Sequence, residues 1–390
     1  MKKFVLYTNA LSAHQIPLAR EIVNIVGPDN FRYIYTSTLG QKFQESKESF
    51  DWIRHATGAD TTEWLEDAEV MLVGGIRPID LIERRARNGK TTFYMSERWF
   101  KPPLGMFRLL HPRYFFMAWR IVRLIRSMDS FIYLPIGIHA ARDMARLCGL
   151  FSGDLRCLFR SLKLDFECKP GGRIWLKNGR AEKRYCLDKM RMWGYYVEPS
   201  TQPLTTNDYQ LTTNPTPNSP NPNSSTLKVL WVGRLLNLKR VDTIVRAVGE
   251  HANLKRVDNS LPKITLDIYG TGPEEVRLKK LAAKYGDVIK FNSPVPINDV
   301  RKLMREHDVY VLASNAYEGW GAVVSEALEE GMKVIGTYEA GASATLLPKE
   351  CLFYSGDKVR LIKILKMQTP AIGIGKWTAK YASEQLVDLD

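Results

Sequence analysis

Two cations in the second half of the chain stand where a strand pattern gives way to a helical one. Arg234 and Lys239 follow the apolar run Val229–Gly233 and precede a helical pattern. Two cations at such a turn suit a diphosphate, because a guanidinium binds phosphate oxygens through two parallel hydrogen bonds. Taken alone, the two residues also fit a solvated pair on the surface.

Two carboxylates follow a later strand pattern in the same half. Glu318 stands in the loop after that strand, and Glu326 lies eight residues further on, in the second turn of the next helical pattern. Gly319 and Gly321 allow close approach of the backbone to a ligand, and a helix start presents free N–H groups to a phosphate. A carboxylate that accepts from two neighbouring hydroxyls commonly holds a ribose, which predicts a nucleotide site.

The elements that must position these side chains alternate between strand and helix in both halves of the chain. Predicted strands of the first half are Phe4–Thr8, Phe31–Thr36, Val70–Gly75, Thr91–Ser96 and Phe131–Gly137. Predicted strands of the second half are Val229–Gly233, Ile264–Gly270, Val288–Phe291, Val309–Ser314 and Lys333–Thr337. The alternation indicates α/β domains with doubly wound parallel sheets, in which ligands bind at the carboxyl ends of the strands.

The predicted helices connect these strands. They cover Ile16–Val26 in the first half and, in the second half, about 241–249, a helix from Pro273, 297–306 and about 322–330. Between the halves, Thr201–Thr226 is rich in Pro, Asn, Ser and Thr, which is typical of a linker. We therefore predict a first domain over 1–199, a linker over 200–226, a second domain over 227–375 and a helical tail over 376–390.

Three motifs of the second half resemble those of the retaining glycosyltransferases of family 4. Tyr317–Leu328 is similar to the E-x7-E motif of that family, and Val232–Leu235 with Lys239 is similar to its G-R-L…K signature. Tyr269–Pro273 resembles the G-x-G-P turn that follows. The resemblance implies the GT-B architecture, two Rossmann-like domains that face each other across a cleft.

The resemblance also implies roles for individual residues. Arg234 and Lys239 hold the diphosphate of the donor, Glu326 the ribose hydroxyls, and Glu318 lies beside the transferred sugar; Arg234, Lys239 and Glu318 are the catalytic candidates. The further donor-binding positions are Gly233, Gly270, Val295, Gly319, Trp320, Gly321, Ala322 and Val323. The chain departs from the family at Ala340–Thr345, which replaces a G-G-x-x-E stretch and leaves the sugar contacts there open.

The chemistry that the resemblance implies is transfer with retention of anomeric configuration. The donor is a nucleotide-diphosphate sugar, with UDP or GDP as the nucleotide, and no further cofactor is required. No D-x-D follows an internal strand, so a metal-dependent diphosphate site is not predicted. Cations and a helix dipole would instead neutralise the charge that grows on the leaving diphosphate.

Three residues of the first half are candidates for the acceptor side. His14 stands in the loop after the first strand, Glu97 after the strand Thr91–Ser96, and His139 after the strand that ends at Gly137. Two of them also have a structural interpretation: a hydrogen bond within the loop for His14, and an ion pair with the adjacent Arg98 for Glu97. His139 is a candidate for contact with the sugar or the leaving group.

The charge of the chain is +14, and nearly all of the excess lies between Arg98 and Arg191, with 20 Lys and Arg against 7 Asp and Glu. Within this part, Pro112–Met128 predicts an amphipathic helix. Its predicted apolar face carries Phe115, Ala118, Trp119, Val122 and Ile125, and its opposite face carries Arg113, Arg120 and Arg123. Such a helix suits an anionic membrane surface, and packing on the domain core is the alternative.

Other features bear on the location of the protein. No apolar run is long enough to span a bilayer, and Met1–Gln15 reads as a first strand and not as a signal peptide. The five cysteines include no C-x-x-C pair, which favours a reducing compartment. We therefore expect a cytoplasmic protein, peripheral on the cytoplasmic face of a membrane.

The leading hypothesis is a glycosyltransferase that moves a hexose-type sugar to a lipid-linked or polysaccharide acceptor in surface polysaccharide biosynthesis. One alternative keeps the fold but changes the reaction, to a nucleotide-sugar epimerase or a soluble glycan synthase. Another is a nucleic-acid-binding protein, but the sequence shows no stacking aromatics and no recognition helix. An NAD-dependent oxidoreductase is disfavoured because Gly270-x-Gly272 is not followed by the third glycine of the fingerprint.

Overall fold

The computed structural model describes residues 2–37, 50–153, 166–168, 174–176, 185–199, 226–367 and 377–387. The chain divides into two compact units. The first comprises Met1–Glu198 together with Lys376–Asp390, and the second comprises Pro199–Gly375. Most of the predicted linker, residues 200–225, lies outside the described residues, and Thr226 already belongs to the first strand of the second unit.

The first unit is built on a six-stranded parallel sheet. Its strands are β1 Phe4–Thr8, β2 Phe31–Tyr35, β3 Ile53–His55, β4 Val70–Gly74, β5 Thr91–Ser96 and β6 Phe131–Pro135. They are ordered β3-β2-β1-β4-β5-β6, the order of a doubly wound Rossmann sheet. All residues of β4 are buried, as expected for a strand that helices cover on both faces.

The helices of the first unit connect these strands. They are α1 Ile16–Val26, α2 Thr61–Asp67, α3 Ile79–Arg87, α4 Pro112–Ser127 and α5 Ile138–Leu150. A 3-10 turn, Gly105–Leu110, precedes α4, and a short antiparallel pair follows α5, with β7 Phe166–Cys168 and β8 Ile174–Leu176. Edge strand β3 escaped prediction because its three residues are only partly buried and show no apolar run.

The predicted arrangement of side chains around α4 is wrong in part. Ala118, Val122 and Ile125 are buried against the core, but Phe115 and Trp119 are about 40% exposed. The buried face is completed by Ile121 and Leu124, so the helix is rotated relative to the predicted face and leaves its aromatic side chains outward. The alternative of a helix packed on the core is therefore correct for one face only.

The second unit repeats the same sheet order. Its strands are β9 Thr226–Val232, β10 Lys263–Tyr269, β11 Ile289–Asn292, β12 Val309–Leu312, β13 Lys333–Thr337 and β14 Leu352–Phe353. They are parallel and ordered β11-β10-β9-β12-β13-β14. The five predicted strands are present, and the sixth, β14, is two residues long and too short to be recognised from its pattern. The prediction of two doubly wound α/β domains is confirmed.

The helices of the second unit cover this sheet, and a last helix returns to the first unit. They are α6 Val241–Val257, α7 Glu275–Ala282, α8 Ile297–Glu306, α9 Val323–Glu329, α10 Gly341–Leu346, α11 Lys358–Lys366 and α12 Ala379–Val387. No helix among the described residues is both long and apolar enough to cross a bilayer.

Helix α6 runs eight residues further than the pattern predicts. Gly249, taken as its end, lies within the helix and is buried. A β-carbon at Gly249 would come within 2.2 Å of the Tyr285 ring, so the glycine allows close packing of that ring and does not end the helix.

The loops after β9 and β10 pack backbone against backbone. The amide of Gly233 donates to the carbonyl of Tyr269 over 3.0 Å, and that of Leu235 to the carbonyl of Thr271 over 2.8 Å. Gly270 has φ +147°, and a β-carbon there would lie 1.8 Å from the Gly233 carbonyl oxygen. The G-x-G turn is therefore required to seat the loop that carries Arg234 and Lys239.

We expect Gly270→Ala to lower the free energy of unfolding by about 2 kcal/mol or more, because the new methyl group meets backbone that has no rotamer to change. Calorimetric unfolding should show a lower melting temperature. Gly286→Ala is the matched control: Gly286 also has a positive φ, +75°, but the nearest atom to its β-carbon is an arginine side chain at 3.8 Å. Equal losses in the two variants would contradict the role given to loop packing.

Candidate active site

The predicted residues of the second unit lie at the point where the strand order reverses. Strands β9 and β12 are neighbours, and the chain leaves them toward opposite halves of the sheet. Arg234 and Lys239 follow β9, and Glu318 and Glu326 follow β12. Ligands of open α/β sheets bind at the carboxyl ends of the strands at this reversal.

A cation and a carboxylate from the two loops are in direct contact. The Nζ of Lys239 donates to Oε2 of Glu318 over 2.5 Å, although 79 residues separate them in the chain. The side chains are 22% and 12% exposed, so water screens the pair only in part. The loops are further joined where the amide of Asn315 donates to the carbonyl of Leu238 over 2.9 Å.

The position of the Glu318 carboxylate is fixed from a second side. The hydroxyl of Ser314 donates to the same oxygen, Oε2, over 2.9 Å. The carbonyl of Ser314 in turn accepts a hydrogen bond from the hydroxyl of Thr337, at the end of β13, over 2.6 Å. Side chains or backbone from three neighbouring strand ends thus hold one carboxylate.

Glu326 has a different environment. Its side chain is half-buried on α9, and burial raises its pKa, with a smaller opposing effect of Arg301. Within the described residues, no hydrogen bond to its carboxylate is formed by another side chain or by the backbone. A partly desolvated carboxylate of this kind is costly for the ligand-free protein and is suited to a hydroxyl-bearing ligand.

Tyr310 lies near both carboxylates. Its side chain is buried on β12, and its hydroxyl donates to the carbonyl of Val232 over 3.3 Å. Burial raises the pKa of Tyr310 strongly, and the negative charges of Glu326 and Glu318 raise it further. Both carboxylates therefore lie near one ring, next to the end of β9. The sequence shows Tyr310 only as one apolar position of a strand.

The turn between Glu318 and α9 is anchored by the next helix. The carbonyl of Gly319 accepts from the amide of Gly341 over 3.1 Å, and that of Trp320 accepts from the amide of Ala342 over 2.7 Å. The indole of Trp320 is buried, and Gly321 has φ +85°. The stretch Ala340–Thr345, which departs from the family pattern, therefore supports the turn through its backbone.

The remaining donor-side candidates lie at the same edge of the sheet. Arg234 directly follows Gly233, is exposed, and forms no ion pair with a carboxylate of the described residues. Val295 lies between β11 and α8. Ala322 and Val323 begin α9, where the first amides of any helix have no intrahelical partner. The structure thus gathers the cations, carboxylates and turn at one edge, but brings only Lys239 and Glu318 into contact.

In the first unit, two acceptor-side candidates meet through a residue that the sequence did not indicate. The ring of His14 stacks on that of Tyr195, with centroids 6.0 Å apart. The hydroxyl of Tyr195 donates to Oε1 of Glu97 over 2.9 Å, and Lys101 forms an ion pair with the other oxygen. Burial lowers the pKa of His14, which favours the neutral imidazole.

Tyr195 could not be found from a strand-end rule. It lies in a segment that runs beside β6, where Ile136 and Trp193 form an isolated bridge. His139, the third candidate, lies in the first turn of α5, after β6 and at the same edge of the first sheet. Glu97 does not form the ion pair with Arg98 that the sequence suggests as its alternative role. Glu97 pairs with Lys101, and the Nε of Arg98 lies 3.7 Å from Oδ2 of Asp143.

The described residues contain no group of three or more His, Cys, Asp or Glu side chains that could hold a metal ion.

Part of the chain is similar to known glycosyltransferases. Residues 214–362 match the family described as glycosyl transferases group 1. Two curated relatives are GtfA subunits of UDP-N-acetylglucosamine–peptide N-acetylglucosaminyltransferases: that of Streptococcus pneumoniae serotype 4 is 30% identical over 110 residues, and that of Streptococcus gordonii 32% over 111. Each match covers 28% of this chain and only 20% of the relative.

Solved structures show the fold of the whole chain. The lipopolysaccharide outer core galactosyltransferase WaaB aligns with a TM-score of 0.56 at 12% identity, over 99% of this chain and 96% of its own. Anabaena HepE in complex with UDP aligns with a TM-score of 0.53 at 12% identity, over 98% and 95%. Residues 214–362 thus match the group 1 glycosyltransferases, and the chain shares the two-domain GT-B fold of these solved structures.

Proposed function

We propose that the protein is a retaining glycosyltransferase that moves a hexose-type sugar from a nucleotide-diphosphate donor to a lipid-linked or polysaccharide acceptor. The observation that carries the proposal is the grouping of Lys239, Glu318 and Glu326 around the ends of β9 and β12. In this proposal Lys239 binds the diphosphate of the donor and Glu318 lies beside the sugar. The partly desolvated carboxylate of Glu326 binds the ribose.

The charges of the site suit the bond that breaks. When the sugar leaves its diphosphate, negative charge grows on the diphosphate and positive charge on the anomeric carbon. Arg234 is exposed, and Lys239 can turn from Glu318 toward a phosphate oxygen, so both cations are available to the leaving group. Glu318, held by Ser314, remains beside the sugar and stabilises the positive centre.

The donor that we propose is a UDP-sugar, with UDP-N-acetylglucosamine as the first to be tested. The support is the name of the curated relatives and their identity to this chain over 110 and 111 residues. A GDP-sugar is the alternative. We assign the loop near Val295 to the nucleotide base, and this loop carries no charged side chain that would distinguish uracil from guanine.

The acceptor side that we propose is the edge of the first sheet at His14, Glu97 and His139. Glu97 is the one carboxylate of this group, and its contacts with Tyr195 and Lys101 hold it in place for an acceptor hydroxyl. The excess of basic residues between Arg98 and Arg191 favours an anionic, lipid-linked acceptor, which would place the protein on the cytoplasmic face of a membrane.

A peptide acceptor is the second candidate, favoured by the name of the curated relatives. Their resemblance covers only about a fifth of their own length, which is too little to carry over their acceptor. A transfer assay with peptide and lipid-linked acceptors side by side separates the two, because only one class should become labelled.

We expect Glu326→Gln to stabilise the ligand-free protein and to weaken nucleotide binding. Because the pKa of Glu326 is raised, its charged form opposes folding above that pKa, and this cost fades as the pH falls through it. The variant should therefore melt higher near neutral pH, by about 2–4 °C for each kcal/mol, and by less in acid. Its affinity for UDP should fall about tenfold or more, since a charged acceptor of hydrogen bonds is lost.

The control is Glu350→Gln, an exposed carboxylate of the same unit. Calorimetric melting at several pH values and titration with UDP should leave this control at the wild-type values. Full UDP affinity in Glu326→Gln would remove Glu326 from the ribose site.

The variant Glu318→Gln tests the role beside the sugar separately from the binding of the nucleotide. The amide keeps the shape of the side chain and one acceptor for Ser314, but removes the negative charge beside the sugar. We expect transfer from UDP-N-acetylglucosamine to fall by about a hundredfold or more, while UDP affinity changes by less than about threefold. The measurement is release of UDP together with direct titration of UDP. Retained turnover would rule out the assigned role of Glu318.

A further inference from the structure

A cluster of exposed apolar side chains lies in the first unit, in the segment that follows β5 and leads into α4. Its members belong to one continuous segment, which we call the 104–119 surface. They are Leu104 (56% exposed), Met106 (36%), Phe107 (74%), Leu110 (80%), Phe115 (40%), Phe116 (62%) and Trp119 (41%). Large apolar side chains exposed together mark a surface that contacts another apolar phase.

Contacts with buried and neighbouring side chains fix the position of the 104–119 surface. Tyr114 accepts a hydrogen bond from Nη1 of Arg108 over 3.3 Å and lies edge-on against the buried Trp99, with centroids 6.3 Å apart. The 3-10 turn Gly105–Leu110 packs against α4, so its exposed side chains project from an ordered turn. The apolar tips of Phe107 and Leu110 are therefore presented by the fold.

The outward face of α4 continues the same surface. Phe116, Trp119 and Arg123 follow one another at intervals of three and four residues, so they lie on one face of the helix. The guanidinium of Arg123 lies over the Trp119 ring, 5.6 Å from its centroid. The opposite face buries Ile121 and Ile125 in the core, which leaves the aromatic face free for another partner.

The charge around this surface has one sign. Residues 101–123 include Lys101, Arg108, Arg113, Arg120 and Arg123 and no Asp or Glu. Lys101 pairs with Glu97, and Arg120 pairs with Asp80 and Glu83 of α3. The other three, Arg108, Arg113 and Arg123, form no ion pair with any carboxylate in the part of the chain that the structure describes.

Apolar tips ringed by uncompensated arginines fit an anionic lipid surface better than a second copy of the chain. In a two-fold symmetric pair, the same arginines would face one another across the contact and repel. At a bilayer, the apolar side chains enter the acyl region while the guanidinium groups stay at the level of the lipid phosphates. The charge of the surface thus favours an anionic lipid bilayer over a second copy of the chain as its partner.

We propose that the 104–119 surface docks the protein on an anionic bilayer. Phe107, Leu110 and Phe116 insert among the acyl chains, and Arg108, Arg113 and Arg123 bind the lipid phosphates. The contact is made by the 3-10 turn and the outward face of α4, which includes Phe115 and Trp119 of the predicted apolar face but not its buried residues Ala118, Val122 and Ile125. The inference rests on the membrane location proposed above, but docking requires neither donor nor acceptor and is tested without them.

The test is flotation of the full chain with vesicles of phosphatidylcholine, alone or with a third of the lipid replaced by phosphatidylglycerol. We expect binding to the anionic vesicles that weakens with salt. The double variant Phe107→Ser/Leu110→Ser should lose about tenfold or more in partitioning, because two apolar side chains no longer insert. The matched control is Val257→Ser/Val276→Ser, two valines of the second unit that are 91% and 82% exposed.

Arg113→Gln/Arg123→Gln tests the electrostatic part and should bind the anionic vesicles at least several-fold more weakly than the wild type. Wild-type binding by the apolar double variant, or no binding of the wild type to anionic vesicles, would overturn the proposal. So would a dimer in light scattering that the apolar double variant converts to a monomer. UDP titration of each variant distinguishes failure of the docking proposal from failure of the proposed transferase function. The proposed nucleotide site lies in the second unit, so the surface variants should keep wild-type UDP affinity.

Discussion

The contact between Lys239 and Glu318 is the constraint on which the site depends. It joins two loops that leave neighbouring strands in opposite directions, and it holds opposite charges 2.5 Å apart in partly dry surroundings. Such a pair is stable only if the two loops are placed precisely, because each charge has left some of its water. In the proposed function, a diphosphate that drew Lys239 away would leave Glu318 with Ser314 as its remaining partner.

Backbone packing supplies that precision. The loop after β9 rests on the G-x-G turn after β10, and the turn after Glu318 rests on the first residues of α10. At both places a β-carbon would collide with a carbonyl oxygen, at Gly270 and at Gly341. Gly270, a predicted donor contact, and Gly341 therefore both allow close backbone packing next to the loops that carry the charged side chains.

Much of the candidate site could be predicted from the sequence, because parallel sheets place their ligands at strand ends. The positions of Lys239, Glu318 and Glu326 after the ends of β9 and β12 could be predicted in this way, and their roles in binding stay predictions. The positions of Tyr310 and Tyr195 beside these groups could not, since Tyr310 reads as a core position of a strand and Tyr195 lies in a segment without strand pattern. The course of α6 past Gly249 and the outward aromatic face of α4 depend on tertiary packing, which no local periodicity encodes.

Hydrogen exchange of the full chain with and without UDP tests the central claim most directly, because it locates the nucleotide on the backbone. UDP should slow amide exchange in peptides that cover 233–240 and 314–326 and leave those around β2 and β3 unchanged. Protection confined to the first unit, or absent from both of these segments under saturating UDP, would contradict a nucleotide site at the ends of β9 and β12.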